Sequence, residues 1–320
     1  MASYFEELYR SDDIDEITKI SNLKTGTYIP ILDDPISSVD INLAMKDMKK
    51  GGYDYSINIL HILVNIMSPI LLLFFNIMFF VSYPLQLARS LLISLPKKGN
   101  LSLPKNYRGI QMLTALGALY DRIIANRLYK WTGVNYEQSA FQKGKSTIHQ
   151  LFTIRLLIEM AKRTNVTLYI GFFDLEKAFD KVSRYLLLKK LIKLGIGNCM
   201  LQALKRIYLF TTCVLSTATE NSSEFRTYSG IRQGAPSSVF LFILFIDDLI
   251  SNLQRECVQE PLISIMHSLL HADDTALIST ERNLFIIKCN KMLDYFKENS
   301  LTLNFPKSSM EKKTISKTFY

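Results

Sequence analysis

The sequence predicts an α+β fold in which helices pack on one face of an antiparallel sheet. Two observations lead there. From Thr167 onward the hydrophobic period alternates between two residues and about 3.6, in the order β–α–β–β–α–β–β–α–β. In addition, the apolar run 167–173 ends at an aspartate, and the runs 261–270 and 275–279 have two between them, as strands do at the rim of a sheet.

The elements follow in order. Residues 1–37 are polar, carry turn signals at Gly26, Pro30 and Pro35, and are expected to be loosely held. Residues 38–50 have Ile41, Ala44 and Met48 on one face, with Ser38 or Asp40 as cap, and predict a helix. No residue between Asp54 and Arg89 is charged, and the run 57–84 is long enough to cross a bilayer. Pro69, Pro84 and the recurring Asn65, Ser68, Asn76 and Ser82 favour a buried core helix, broken near Pro69, over a membrane anchor. Residues 87–99 read as a strand ending in a basic turn, and 111–131 and 146–163 as helices. After the strand at 167–173, residues 176–195 return to helical spacing and stop at Gly195, and 200–208 continue as helix. Two strands at 211–218 and 224–229 precede a turn-rich loop, 230–236, and an apolar helix, 237–254. The runs 261–270 and 275–279 form strands joined by residues 271–274. A helix at 281–299 and a short strand at 301–304 complete the pattern.

Composition bounds the function. The chain has 320 residues, 48% hydrophobic and 21% charged, which excludes a disordered tail, a collagen and a disulfide miniprotein. Net charge is +9 and uneven: residues 1–60 hold 6 basic and 11 acidic side chains, whereas 89–163 hold 13 basic and 3 acidic. Such a block suits a polyanionic partner. Cys199, Cys213, Cys257 and Cys289 are far apart and apolar in context, with no CxxC pair, so buried thiols are expected in a reducing, intracellular compartment. The acidic start of the chain has no apolar h-region of a secretory signal.

Asp174 closes one apolar strand and Asp273-Asp274 sits between two others. If those strands are neighbours, three carboxylates converge, and their repulsion calls for a divalent cation. Hard oxygen donors suit Mg²⁺, with Mn²⁺ as the alternative. Either motif alone reads as an ordinary turn or cap.

Several segments decide between these readings. Residues 171–182 (GFFDLEKAFDKV), 230–249 (GIRQGAPSSVFLFILFIDDL) and 269–279 (LLHADDTALIS) resemble, in this order, the reverse transcriptases of non-LTR (LINE-like) retrotransposons. So do 96–128, 138–147 (QSAFQKGKST) and 301–308 (LTLNFPKS), and the apolar stretch 69–99 resembles the helix and strand before the family's fingers. The resemblance covers roughly residues 38 to 308. It implies a right-hand polymerase fold: fingers at about 38–166 with parts of 200–260, palm at about 167–320, after an N-terminal segment 1–37.

It also implies roles. Asp174, Asp273 and Asp274 would form the catalytic site for two Mg²⁺ ions, with the Leu175 carbonyl completing it. Phe179 stands at the steric gate against a ribose 2′-hydroxyl. Gln233 and Gly234 would lie beneath the incoming nucleotide and template base, and Arg232 would touch the template backbone. Arg108, Lys97 and Lys98 are candidates for triphosphate contacts, and Lys143 and Lys145 for the template. Lys307 would protonate the leaving pyrophosphate. Ser237-Ser238 replaces a frequent proline, and His271 the usual Phe or Tyr before Ala-Asp-Asp. The implied function is RNA-directed DNA synthesis with an RNA template, a DNA primer and deoxynucleoside triphosphates, in nucleus or cytoplasm. No endonuclease, zinc-knuckle cysteines or complete thumb are recognised, which leaves a nucleic-acid-binding fragment without activity as the rival reading.

Overall fold

The computed structural model describes residues 1–10, 15–48, 55–135, 137–140, 145–217, 220–254 and 268–313. In chain order the helices and strands are α1 (Ala2–Leu8), α2 (Glu16–Asn22), α3 (Pro30–Asp33), α4 (Ser38–Asp47), α5 (Tyr55–Phe80), α6 (Leu85–Ala88), β1 (Arg89–Pro96), β2 (Tyr107–Met112), α7 (Ala115–Trp131), α8 (Thr147–Thr164) and β3 (Leu168–Phe173). They continue with α9 (Arg184–Lys193), α10 (Asn198–Leu209), β4 (Thr212–Ser216), β5 (Asn221–Arg226), α11 (Ser238–Gln254), β6 (Ser268–His271), β7 (Asp274–Ser279), α12 (Arg282–Glu298) and β8 (Ser309–Lys313). The chain forms two compact units, residues 1–133 with 179–241, and 134–178 with 242–320.

The first unit holds a sheet in the order β2-β1-β4-β5, with β1 and β4 parallel and the outer pairs antiparallel. Its N-terminal segment is not loose. Phe5 and Tyr9 are fully buried with Leu92, Cys213, Leu215 and Phe225 of the sheet. Two aromatics in an acidic stretch were enough to dock it, because burying a large ring outweighs ordering one short helix. Helix α4 begins at Ser38, as the pattern suggests, but its cap is not Ser38 or Asp40. Ser37 is the cap and forms a capping box with Asp40.

Helix α5 runs unbroken through Pro69. It is buried on one face only, through Leu60, Val64, Leu71, Phe75, Met78 and Phe79, while Ile62, Ile66 and Leu73 are exposed. Near the C-terminal end of the helix, the Asn76 amide both donates to the Ile36 carbonyl (2.9 Å) and accepts from the Ile36 N–H (2.8 Å). That pairing ties the apolar helix to polar protein backbone. No helix among the described residues qualifies as a membrane span.

The second unit holds an antiparallel sheet in the order β6-β7-β3-β8. Leu157 and Ala161 of α8 pack on Leu168, Ile170, Leu269, Ala276 and Ile278. The alternate residues of β3 face the other way, where Tyr169 meets Phe285 of α12 with ring centroids 6.1 Å apart. Helices therefore cover both faces rather than one. The continuous apolar run of β3, LYIGFF, is the pattern of a strand buried on both sides.

Other differences are local. Residues 107–112 form a strand, not the start of α7, and the helix expected over 176–195 begins only at Arg184. Residues 176–182 turn instead, with Lys177 in the left-handed region (φ 52°). The strand at 301–304 reduces to one bridge, Leu175 with Leu303, and the charged β8 follows it. Cys213 and Cys289 are buried and free, Cys199 is half-buried, and Cys257 and most of the run 261–270 lie outside the described residues.

Candidate active site

In the second unit, β3 pairs with β7 so that Phe173 lies opposite Thr275. One step further along the same register, Asp174 comes opposite Asp274. Asp273 occupies the β6–β7 turn, after Ala272 in the left-handed region (φ 57°). The convergence of the three carboxylates is thus a consequence of strand pairing. Partial burial, and then the charges of Asp273 and Asp174, push the Asp274 carboxyl above its ordinary range.

The surrounding bonds hold this arrangement. The Gln138 side-chain oxygen accepts from the N–H of Ala140 (2.9 Å) and of Ala272 (3.2 Å), fastening the turn that carries Asp273. His271 pairs across that turn with Asp274, and its Nδ1 lies 3.1 Å from the Ser139 hydroxyl. The Asn304 amide donates to Asp174 Oδ2 (2.8 Å), and Lys307 Nζ is 3.2 Å from the same oxygen. Leu175 is buried, and the bonds flanking its bridge run from Asn304 N to Asp174 O and from Glu176 N to Thr302 O. Neither uses the Leu175 carbonyl.

Among the described residues, no three His, Cys, Asp or Glu side chains close around one point as a ready metal cage. Asp174 faces Lys307 and Asn304 instead. The donor set nevertheless fits a hard divalent ion. Three carboxylates lie at two adjoining strand ends, hard oxygen donors near enough for the charges of Asp273 and Asp174 to add to the effect of burial at Asp274.

The first unit carries the loop expected beneath the nucleotide. Gly234 has φ 122°, and a Cβ there would come within 2.6 Å of the Gln111 carbonyl oxygen, so only glycine fits. The Gln111 N–H donates to the Gln233 carbonyl (2.7 Å). The Gln233 side-chain oxygen is buried and has no bonding partner among the described residues. Phe179 is half-buried in the turn after β3, and its carbonyl accepts from the Ile231 N–H (3.0 Å). Arg108 is exposed on β2, and Lys97 and Lys98 are exposed at the turn after β1.

One expectation changes. Arg232 has no exposed surface. Its guanidinium lies 3.2 Å from Asp121 and 5.9 Å from the Tyr208 ring centroid, and the favourable charges around it raise its pKa despite burial. Its position directs the charge into the core, not onto a template. Lys145 donates to the Gln138 carbonyl (3.2 Å), and burial lowers its pKa. Lys143 lies outside the described residues.

The family model described as reverse transcriptase (RNA-dependent DNA polymerase) matches residues 95–317. The chain belongs to the reverse transcriptase family. Curated relatives are retrotransposon proteins. The chain is 29% identical over 204 residues to the transposon TX1 149 kDa protein of Xenopus laevis, covering 62% of this chain and 16% of that protein. It is 27% identical over 223 residues to a retrovirus-related Pol polyprotein of the type-1 element R2 in Popillia japonica (67% and 30% covered). It is 25% identical over 225 residues to the R2DM polyprotein of Drosophila melanogaster (70% and 21%). The chain therefore spans less than a third of these relatives' length. Among solved structures, apo telomerase from Candida tropicalis truncated from its C-terminal domain shares the fold at TM-score 0.54 and 14% identity, covering 74% of this chain and 52% of that one. The same organism's telomerase with a TWJ fragment of telomeric RNA gives TM-score 0.52 and 13% identity (72% and 42%). The fold is thus the right hand of a reverse transcriptase, of the kind carried by non-LTR retrotransposons.

In this member of the reverse transcriptase family, sequence reading missed several residues that hold the expected site residues of each unit in place. Gln138 and Asn304 lay inside recognised segments but carried no assigned role. Asp121, Arg184 and Tyr9 act through partners more than 20 residues away, which no local pattern encodes.

Proposed function

We propose that this chain is an RNA-directed DNA polymerase that extends a DNA primer on an RNA template with deoxynucleoside triphosphates. The observation that carries the reading is the juxtaposition of Asp174 and Asp274 at paired strand ends, with Asp273 on the adjoining turn. Asp174 and Asp273 would hold two Mg²⁺ ions, with Asp274 and the Leu175 carbonyl in support; when bound, such ions neutralise charge at the reacting phosphate and acidify the attacking hydroxyl.

The remaining roles belong to the chain. The primer 3′-hydroxyl gives up its proton to solvent and its oxygen forms a bond to the α-phosphorus as the bond to the β-phosphate oxygen breaks, releasing pyrophosphate. Lys307, with its Nζ held at Asp174, donates a proton to that leaving group. Phe179 crowds a ribose 2′-hydroxyl. Gly234 lets the loop pack directly on the Gln111 carbonyl, which sets the position of the Gln233-Gly234 segment that would lie beneath the nucleotide. Arg108, Lys97 and Lys98 balance phosphate charge. Much of the rate then rests on positioning and charge complementarity.

The test is primer extension with Mg²⁺ on matched RNA and DNA templates. Template-dependent extension on RNA supports the reading. Binding of primer–template with no extension by the folded chain would refute it.

A further inference from the structure

The N-terminal helix lies outside residues 95–317, which carry the family match, yet the residue that ends it, Tyr9, bonds to the segments on the nucleotide side of the first unit. Tyr9 is fully buried at the end of α1. Its hydroxyl donates to Asp180 Oδ1 at 3.0 Å, next in sequence to Phe179. Its carbonyl accepts from the N–H groups of Tyr228 (2.8 Å) and Ser229 (3.1 Å), where the loop that carries Gln233 and Gly234 begins. The same two segments are stitched to each other. Gly230 N donates to Val182 O (2.8 Å), Ile231 N to Phe179 O (3.0 Å), and the Ser229 hydroxyl to Asp180 O (3.4 Å). A Cβ at Gly230 would come within 2.7 Å of Asp180 O, so the two backbones are in direct contact. The phenol oxygen also lies against β2, 3.3 Å from where a Cβ at Gly109 would stand, and on the same strand the Gln111 N–H holds the Gln233 carbonyl. One tyrosine thus reaches the turn bearing the gate, the start of the glycine loop and the strand beneath that loop.

We propose that Tyr9 is a positioning residue for nucleotide selection, pinning the Phe179–Val182 turn and the 228–234 loop as one rigid wall of the nucleotide site. The proposal rests on the assignment of Phe179 as gate and of Gln233-Gly234 as the nucleotide loop. A hydroxyl bonded to a buried carboxylate is a strong and directional tether. Small displacements at such a wall change binding and discrimination more than folding, because reacting groups tolerate little misplacement.

The test compares Y9F, which keeps the buried ring and removes the tether, with D180N, which keeps an acceptor for the hydroxyl. F179V serves as control. Two readouts are used: dNTP affinity of the full chain bound to a primer–template with a dideoxy-terminated primer, and deoxy-over-ribonucleotide discrimination in extension. Expected are a roughly tenfold weaker dNTP affinity in Y9F, loosened discrimination, and kcat within about threefold of wild type. D180N, which keeps an acceptor without its charge, should fall between wild type and Y9F on both readouts. Unchanged affinity and discrimination in a folded Y9F overturn the proposal, and so does a Y9F that loses active protein while its affinity is retained. If F179V leaves discrimination intact, the gate assignment fails on its own. The Y9F affinity then still decides whether Tyr9 holds the loop.

Discussion

Replacing Asp121 by alanine should destabilise the chain more than any loss at the exposed basic residues. Asp121 is fully buried on α7. Its Oδ2 accepts from the Ser237 N–H at 2.7 Å. Its Oδ1 accepts from the Ser237 hydroxyl at 2.9 Å and from Arg232 at 3.2 Å. Alanine leaves the guanidinium of Arg232, itself without exposed surface, uncompensated in the core, with two further donors unpaired. Removing one partner of a buried pair costs about 3–5 kcal/mol. A chain of ordinary stability has about 5–15 kcal/mol in total. The corresponding fall in melting temperature is on the order of 10 °C. Urea unfolding of D121A, R232M and the double variant D121L/R232M measures it. The double variant should recover a large part of the loss, because an apolar pair replaces a charged one without stranding either group. Single-variant losses below about 1 kcal/mol, or effects that simply add in the double variant, would refute the reasoning.

Other expectations follow from the site. F179V should incorporate ribonucleotides at least tenfold more readily than wild type in competitive extension, since removing the ring opens space against a 2′-hydroxyl; unchanged discrimination would remove Phe179 from the gate. Added Mg²⁺ should raise the melting temperature of the wild-type chain, by about 2.7 kcal/mol of stability at a hundredfold excess over its dissociation constant, and D273N should lose most of that gain. Without metal, D274N should be at least as stable as wild type at neutral pH, because it removes a carboxylate held against Asp273 and Asp174. A D274N that melts well below wild type in EDTA would contradict the crowding inferred there.

How much of this was legible in the sequence depends on the range of the interaction. The strands ending at Asp174 and flanking Asp273 were readable, because alternation and apolar runs are local signals. So was the helix at 237–254, where the spacing is unambiguous. The turn at 176–182 was not, since its Ala178, Phe179 and Val182 fit helical spacing. What keeps it out of a helix is the set of bonds from Gly230, Ile231 and Ser229 far along the chain. β8 was invisible because SMEKK lacks apolar alternation; what places it is its backbone register against β3. Arg232 looked like a surface cation in a polar loop. Only the approach of Asp121 from α7 makes it a core residue. The same logic separates the carboxylates, whose roles the motif carried, from Gln138, Asn304 and Tyr9, whose roles are set by partners that folding brings near.

The central claim is that Asp174 and Asp273 carry the chemistry of nucleotide addition. Its most direct test is single-turnover extension of a preformed RNA-template, DNA-primer complex by wild type, D174N and D273N in Mg²⁺, with binding measured in parallel. The account predicts comparable primer–template binding by all three, with extension by the wild type and at least a thousandfold slower extension by each variant, consistent with the loss of groups that act in the transition state. Extension by D174N or D273N at a rate near that of the wild type would contradict it.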